Sequence, residues 1–112
     1  MLISLFLMYI FVSCSSNSDE DLTGTGDPPD LNVSYSNAVK AIIDGNCLNC
    51  HGSPTQNSAP MSLTTYTEVR QAVTSRGLIG QIESGNMPQN AEKLSATNIK
   101  KIKDWRSGGY KE

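Results

Sequence analysis

Two thiols and the chain's single imidazole stand together at Cys47-Leu48-Asn49-Cys50-His51. Thiols three positions apart can each reach a vinyl group on adjacent pyrroles of a haem. The next side chain, His51, then projects a ring nitrogen to the iron as the proximal ligand. C-x-x-C-H is the attachment pattern for haem c, so the motif predicts one covalent haem held by Cys47 and Cys50. Two other chemistries use similar residues. A thioredoxin-like redox pair also reads C-x-x-C, but it belongs in a βαβ setting that this sequence lacks. A structural zinc site needs four ligands, and Cys47, Cys50 and His51 supply three, with no other Cys or His after residue 14.

With one His in the chain, the iron's second axial ligand must be something else. A Met thioether is the usual alternative and raises the reduction potential. Beyond the N-terminal run there are two, Met61 and Met87. Met87 lies in Ser84-Gly85-Asn86-Met87-Pro88, a loop between helical stretches, where the fixed φ of Pro88 restrains the backbone. Met61, in Ala59-Pro60-Met61-Ser62-Leu63, is the second candidate, since a buried Met is often only packing. Met87 is the expected distal ligand.

The elements that must position these residues read as helices. Tyr35 to Asp44 carries Val39, Ile42 and Ile43 at helical spacing, with Ser34 or Ser36 as cap and Gly45 as the expected stop. Leu63, Tyr66, Val69 and Val73 step along one face of a second helix. Ser75-Arg76-Gly77 interrupts it, and Leu78, Ile79 and Ile82 predict a short helix ending at Gly85. The last helix starts at Ser95, with Leu94 and Ile99 as a hydrophobic staple. It buries Ile99, Ile102 and Trp105 or Arg106, leaves Lys100, Lys101 and Lys103 in water, and stops at Gly108-Gly109. No strand-like alternation follows the N-terminal run, so the expected fold class is all-α.

The N-terminus reads as an address. Met1 to Val12, MLISLFLMYIFV, is an uncharged apolar run, long enough for a signal-peptide core and short for a bilayer span. Phe11-Val12-Ser13-Cys14 resembles a bacterial lipobox, with Cys14 as the lipidated residue. No Lys or Arg precedes the run, and Phe11 stands where Leu is usual. The expected organisation is a signal peptide over residues 1–13, an acidic flexible linker over 14–34 and one domain over 35–112. From Ser15 to Ser34 there are five acids and no base, in a segment rich in Ser, Gly and Pro. Such composition favours a disordered tether with a reach of about 25 Å. Within it, Ser18-Asp19-Glu20-Asp21 resembles surface-export signals of some bacterial lipoproteins, or is simply a solvated spacer. Cys14, Cys47 and Cys50 are the only cysteines, so no pair remains for a structural disulfide. The domain has nine bases against six acids, too weak an excess for nucleic-acid binding.

Laid out this way, the domain resembles a class I cytochrome c of the short type found in bacterial lipoproteins. The resemblance runs through Val33 to Ile43 before the haem motif, MSLTTYTEVRQAV, and SGNMPQNAEKLSATNIKKIKDWRSGG. It covers about Asn32 to Gly109. It implies a small cytochrome c fold, three to four helices wrapped around one haem, with Cys47 and Cys50 attached and His51 and Met87 on the iron. It further implies that the first and last helices cross near Val39 and Trp105. The proximal ring N–H is expected to meet a backbone carbonyl, for which the loop with Pro54 is the expected source.

Both axial positions filled by protein predicts one-electron transfer with redox partner proteins, not enzymatic turnover, and no small-molecule substrate. A lipid anchor would hold the domain at a membrane, in the periplasm or at the cell surface, as a shuttle or oxidoreductase subunit. If Met87 does not ligate, the alternative is a haem-based sensor of NO or CO. The lysines of the last helix form a solvated face or a docking patch for an acidic partner.

Overall fold

The computed structural model describes residues 27–112; the expected signal peptide, Cys14 and most of the linker lie outside the described residues. The described part is helical, with no strand among the described residues. A π-helical turn, Tyr35–Val39, runs directly into α1, Lys40–Asn46, and α2 is the single turn Leu48–His51. Then come α3, Tyr66–Ser75, α4, Leu78–Ser84, and α5, Ala96–Ser107.

Helix starts follow from side chains that meet the unpaired N–H groups of a first turn. Of the two serines offered as cap, Ser34 takes the role, its hydroxyl accepting from Asn37 N while the Asn37 amide oxygen accepts from Ser34 N. Ser95 caps α5 in the same way through Asn98 N. The second helix begins later than its apolar spacing predicts. Thr65 is its cap, so Leu63 sits in the preceding loop, still buried.

Gly45 does not stop the first helix, contrary to expectation. Its side is open to solvent, the ladder continues through Cys47 N to Ile43 O, and Asn46 is the last residue. Termination falls to Cys47, whose backbone turns at φ −120° and ψ −28° to start α2. The break at Ser75-Arg76-Gly77 occurs where the sequence puts it, with Gly77 at φ 67°, a left-handed conformation that costs glycine least. Gly85 at φ 80° ends α4 and turns the chain into the Met87 loop.

The core gathers Val39, Ile42 and Ile43 from the first helix, Val69 and Ala72 from α3, Ile79 and Ile82 from α4, and Ile99, Ile102 and Trp105 from α5. On the last helix Trp105, fully buried, takes the core position and Arg106 stays exposed. Helix α5 packs across the Tyr35–Val39 turn, and the rings of Tyr35 and Trp105 lie 6.1 Å apart. Val33, inside the segment expected as linker, is also buried, and Lys111 Nζ donates to Leu31 O at 2.6 Å.

Candidate functional site

Helix α2 is one turn long, and it carries Leu48, Asn49, Cys50 and His51, with Cys47 at its cap. The backbone N–H groups of Cys50 and His51 both return to Cys47 O, at 3.3 and 2.9 Å. That turn brings the two thiols and the imidazole into one short stretch. Both sulfurs are free thiols and both are half-buried. Burial pushes the Cys47 thiol up to about 11. The Asn57 amide donates to Cys50 Sγ at 3.4 Å.

Gly52 follows at once, and sequence reasoning passed over it. A Cβ there would lie 2.8 Å from the Leu48 carbonyl oxygen, closer than backbone permits. Only a residue without a side chain lets the chain leave α2 this tightly. The loop beyond is closed by Gln56 N to Cys50 O at 2.8 Å and by Ala59 N to Gln56 O at 3.0 Å.

The same loop then returns to His51. His51 Nδ1 lies 2.8 Å from Met61 O, and Leu63 N donates to His51 O at 2.7 Å. A carbonyl only accepts, so Nδ1 carries a proton, and the lone pair of the neutral ring is then on Nε2. The carbonyl that meets the ring is Met61's, on the loop that also carries Pro54, the expected source. The peptide after Met61 comes close because the loop folds back through left-handed residues at Asn57 and Ser58, φ 52° and 60°. Nothing in local spacing announces that return.

Met61 thus contributes its backbone to the ring, while its side chain is half-buried against the core. Met87 is also half-buried against the core, on the loop after α4, and its N–H donates to Gln81 O at 3.1 Å. Leu48 and Leu78 pack on the core in the same partly covered way. Among the described residues no three His, Cys, Asp or Glu side chains group to hold a metal ion. The donor set nevertheless fits haem c, which asks the thiols for carbon–sulfur bonds and asks only one imidazole lone pair of this motif.

The lysines of α5 are more engaged than their sequence positions suggest. Lys100 Nζ meets Asp104 Oδ2 at 2.6 Å, and Asp104 is buried. Lys103 Nζ reaches Glu83 Oε1 on α4 at 2.7 Å. These pairs line an open groove of about 530 Å³ beside α5, which contains none of the sequence-predicted site residues. No family model, curated protein or solved structure matches the chain.

Proposed function

We propose that this protein is a one-electron carrier with a single haem c, attached through Cys47 and Cys50 and ligated by His51 and Met87. The observation that carries the reading is His51, which follows C-x-x-C directly and has Nδ1 tied to the Met61 carbonyl at 2.8 Å. Holding one ring nitrogen as a donor fixes the tautomer and leaves Nε2 as a ligand of set direction.

Each residue has a distinct task. Cys47 and Cys50 would hold haem c through two thioether links. Their spacing sets the attachment and the α2 turn sets the spacing. His51 would offer an imidazole nitrogen to the iron and Met87 a thioether sulfur. Leu48, Leu78 and the Met61 side chain, only partly covered by protein, offer apolar surface for a flat ligand. Bound haem c supplies the one-electron chemistry. A thiol–disulfide role is disfavoured by the Cys47 thiol, which is pushed up to about 11 where redox pairs need a readily formed thiolate. The acidic tether and a lipid on Cys14 would keep the domain at a membrane, periplasmic or surface-facing, and concentrate it near redox partners.

The test is a visible spectrum of the domain expressed with a haem-attachment system, taken oxidised, reduced and reduced with CO. Sharp low-spin bands indifferent to CO, and lost in Met87→Ala, are expected. A high-spin spectrum that shifts with CO would move the function to small-ligand binding, and a colourless protein would end the haem reading.

A further inference from the structure

The loop that holds His51 is itself held by one carboxylate. Glu68, in the first turn of α3, receives Ser62 Oγ on Oε1 at 2.9 Å. Its Oε2 receives Thr64 N at 2.7 Å, Thr64 Oγ1 at 2.9 Å and Thr65 N at 3.1 Å. Four donors converge on one half-buried side chain, all from the residues that directly follow Met61.

Capping alone does not require this. A capping box needs the Thr65 hydroxyl on Glu68 N, at 3.2 Å, and the Glu68 carboxylate on Thr65 N. Those two bonds complete the start of α3. The three remaining bonds, from Ser62 Oγ, Thr64 N and Thr64 Oγ1, reach upstream into the loop and do nothing for the helix. Hydrogen bonds to an ionised carboxylate are about twice as strong as neutral ones, so the grip is firm.

The loop so gripped touches His51 at two points, Met61 O on Nδ1 and Leu63 N on the His51 carbonyl. Its other end is rooted, because Val69 and Ala72 of α3 are in the core and Leu63 is buried. A continuous path of contacts therefore runs from core to α3, to Glu68, to Ser62–Thr65, to the Met61 carbonyl and to the imidazole. We propose that Glu68 is a positioning residue for His51, fixing the Met61 carbonyl that sets the tautomer and tilt of the ring. The inference rests on the haem reading and adds to it a part played from outside the ligand set. Releasing the carboxylate lets the Met61 carbonyl drift, weakens the Nδ1–H bond and lowers the basicity of Nε2. Because a more basic imidazole favours the oxidised iron, the reduction potential then rises.

The experiment follows two hydrogen-bonded ring N–H groups in the isotope-labelled, haem-loaded, reduced domain: His51 Nδ1–H and, as a reporter of whole-domain opening, Trp105 Nε1–H. Glu68→Ala should speed solvent exchange of the His51 proton by about tenfold or more, the size of one lost charge-assisted bond. Glu68→Gln, which keeps an acceptor, should fall between. Ser62→Ala with Thr64→Val spares the capping box and should still speed His51 exchange while leaving Trp105 unchanged. It also serves if Glu68→Ala does not fold. Equal acceleration of both protons would make Glu68 a general stabiliser and overturn the proposal, as would a His51 rate within about twofold of the parent in every variant. The visible spectrum of each sample separates the two ideas. Absent haem removes this inference together with the proposed function, whereas bound haem with unmoved exchange removes this inference alone.

Discussion

His51 has two ring nitrogens, and the fold commits one of them. With Nδ1 donating to Met61 O at 2.8 Å, the lone pair of the neutral ring is on Nε2, and rotation of the ring would break a part-buried bond. Gly52 makes this possible by letting the chain turn away from α2 beneath the Leu48 carbonyl. Gly52→Ala places a methyl group 2.8 Å from that oxygen, so α2 must shift. The expected result is a loss of about 1–3 kcal/mol by denaturant titration, together with a lower haem-to-protein ratio. Parent-like stability and parent-like haem content would show that the turn has slack. The motif was legible in the sequence because it is local: Cys47, Cys50 and His51 lie within one helical turn, so their spacing in the chain sets their spacing in the fold. The Met61 carbonyl and the Glu68 carboxylate were not legible as parts of the site. Each reaches it through space, across a loop whose path depends on two left-handed residues, Asn57 and Ser58.

At the scale of elements, helix beginnings were easier to read than helix ends. Ser34 and Ser95 carry their own acceptors, and the first-turn N–H groups they satisfy lie three residues on. Gly45 shows why ends are harder: a glycine with open space around it is tolerated inside a helix, and the stop came instead from the backbone of Cys47. The start of α3 makes a pH prediction. Glu68 has its carboxyl held below the ordinary 4.5, first by the Thr64 hydroxyl, then by the Ser62 hydroxyl and the Thr64 N–H. A carboxylate whose folded value is lowered contributes stability that is complete above its unfolded value and lost as pH falls through the folded one. Denaturant midpoints measured from neutral pH downward should therefore fall below about pH 4.5 in the parent. Glu68→Gln should start lower at neutral pH and decline less over that acid window. Parallel parent and variant curves would mean that the protonated carboxyl holds the loop as well as the carboxylate does. The Glu83–Lys103 pair joins α4 to α5, but it is exposed on both sides and contributes little to the same profile.

At the scale of the whole molecule, the two ends of the described chain are bound to each other around Trp105. Its indole Nε1–H donates to Lys111 O at 2.7 Å, and the same carbonyl receives Tyr35 N at 2.8 Å. Tyr66 OH donates to Tyr110 O at 2.7 Å, and Arg70 lies over the Tyr110 ring. Tyr35, Tyr66 and Tyr110 surround the indole with centroids 5.0 to 6.1 Å away, mostly edge to face. Periodicity alone offered Trp105 or Arg106 for this position; packing decides it, because only a fully buried aromatic can join the first helix, α3 and the residues after α5. Two substitutions separate what the residue does by volume from what it does by hydrogen bond. Trp105→Phe keeps much of the ring contact and loses the bond to Lys111, whose carbonyl still has Tyr35 N–H. Its cost should be about 1 kcal/mol plus a small cavity. Trp105→Ala also empties the centre of the aromatic group and should cost about 3–5 kcal/mol. If the phenylalanine variant is as stable as the parent, the bond to Lys111 is incidental and volume alone holds the ends together. If it is as damaged as the alanine variant, the bond governs, and exchange of the Tyr35 amide should accelerate with it, because both donors share one carbonyl.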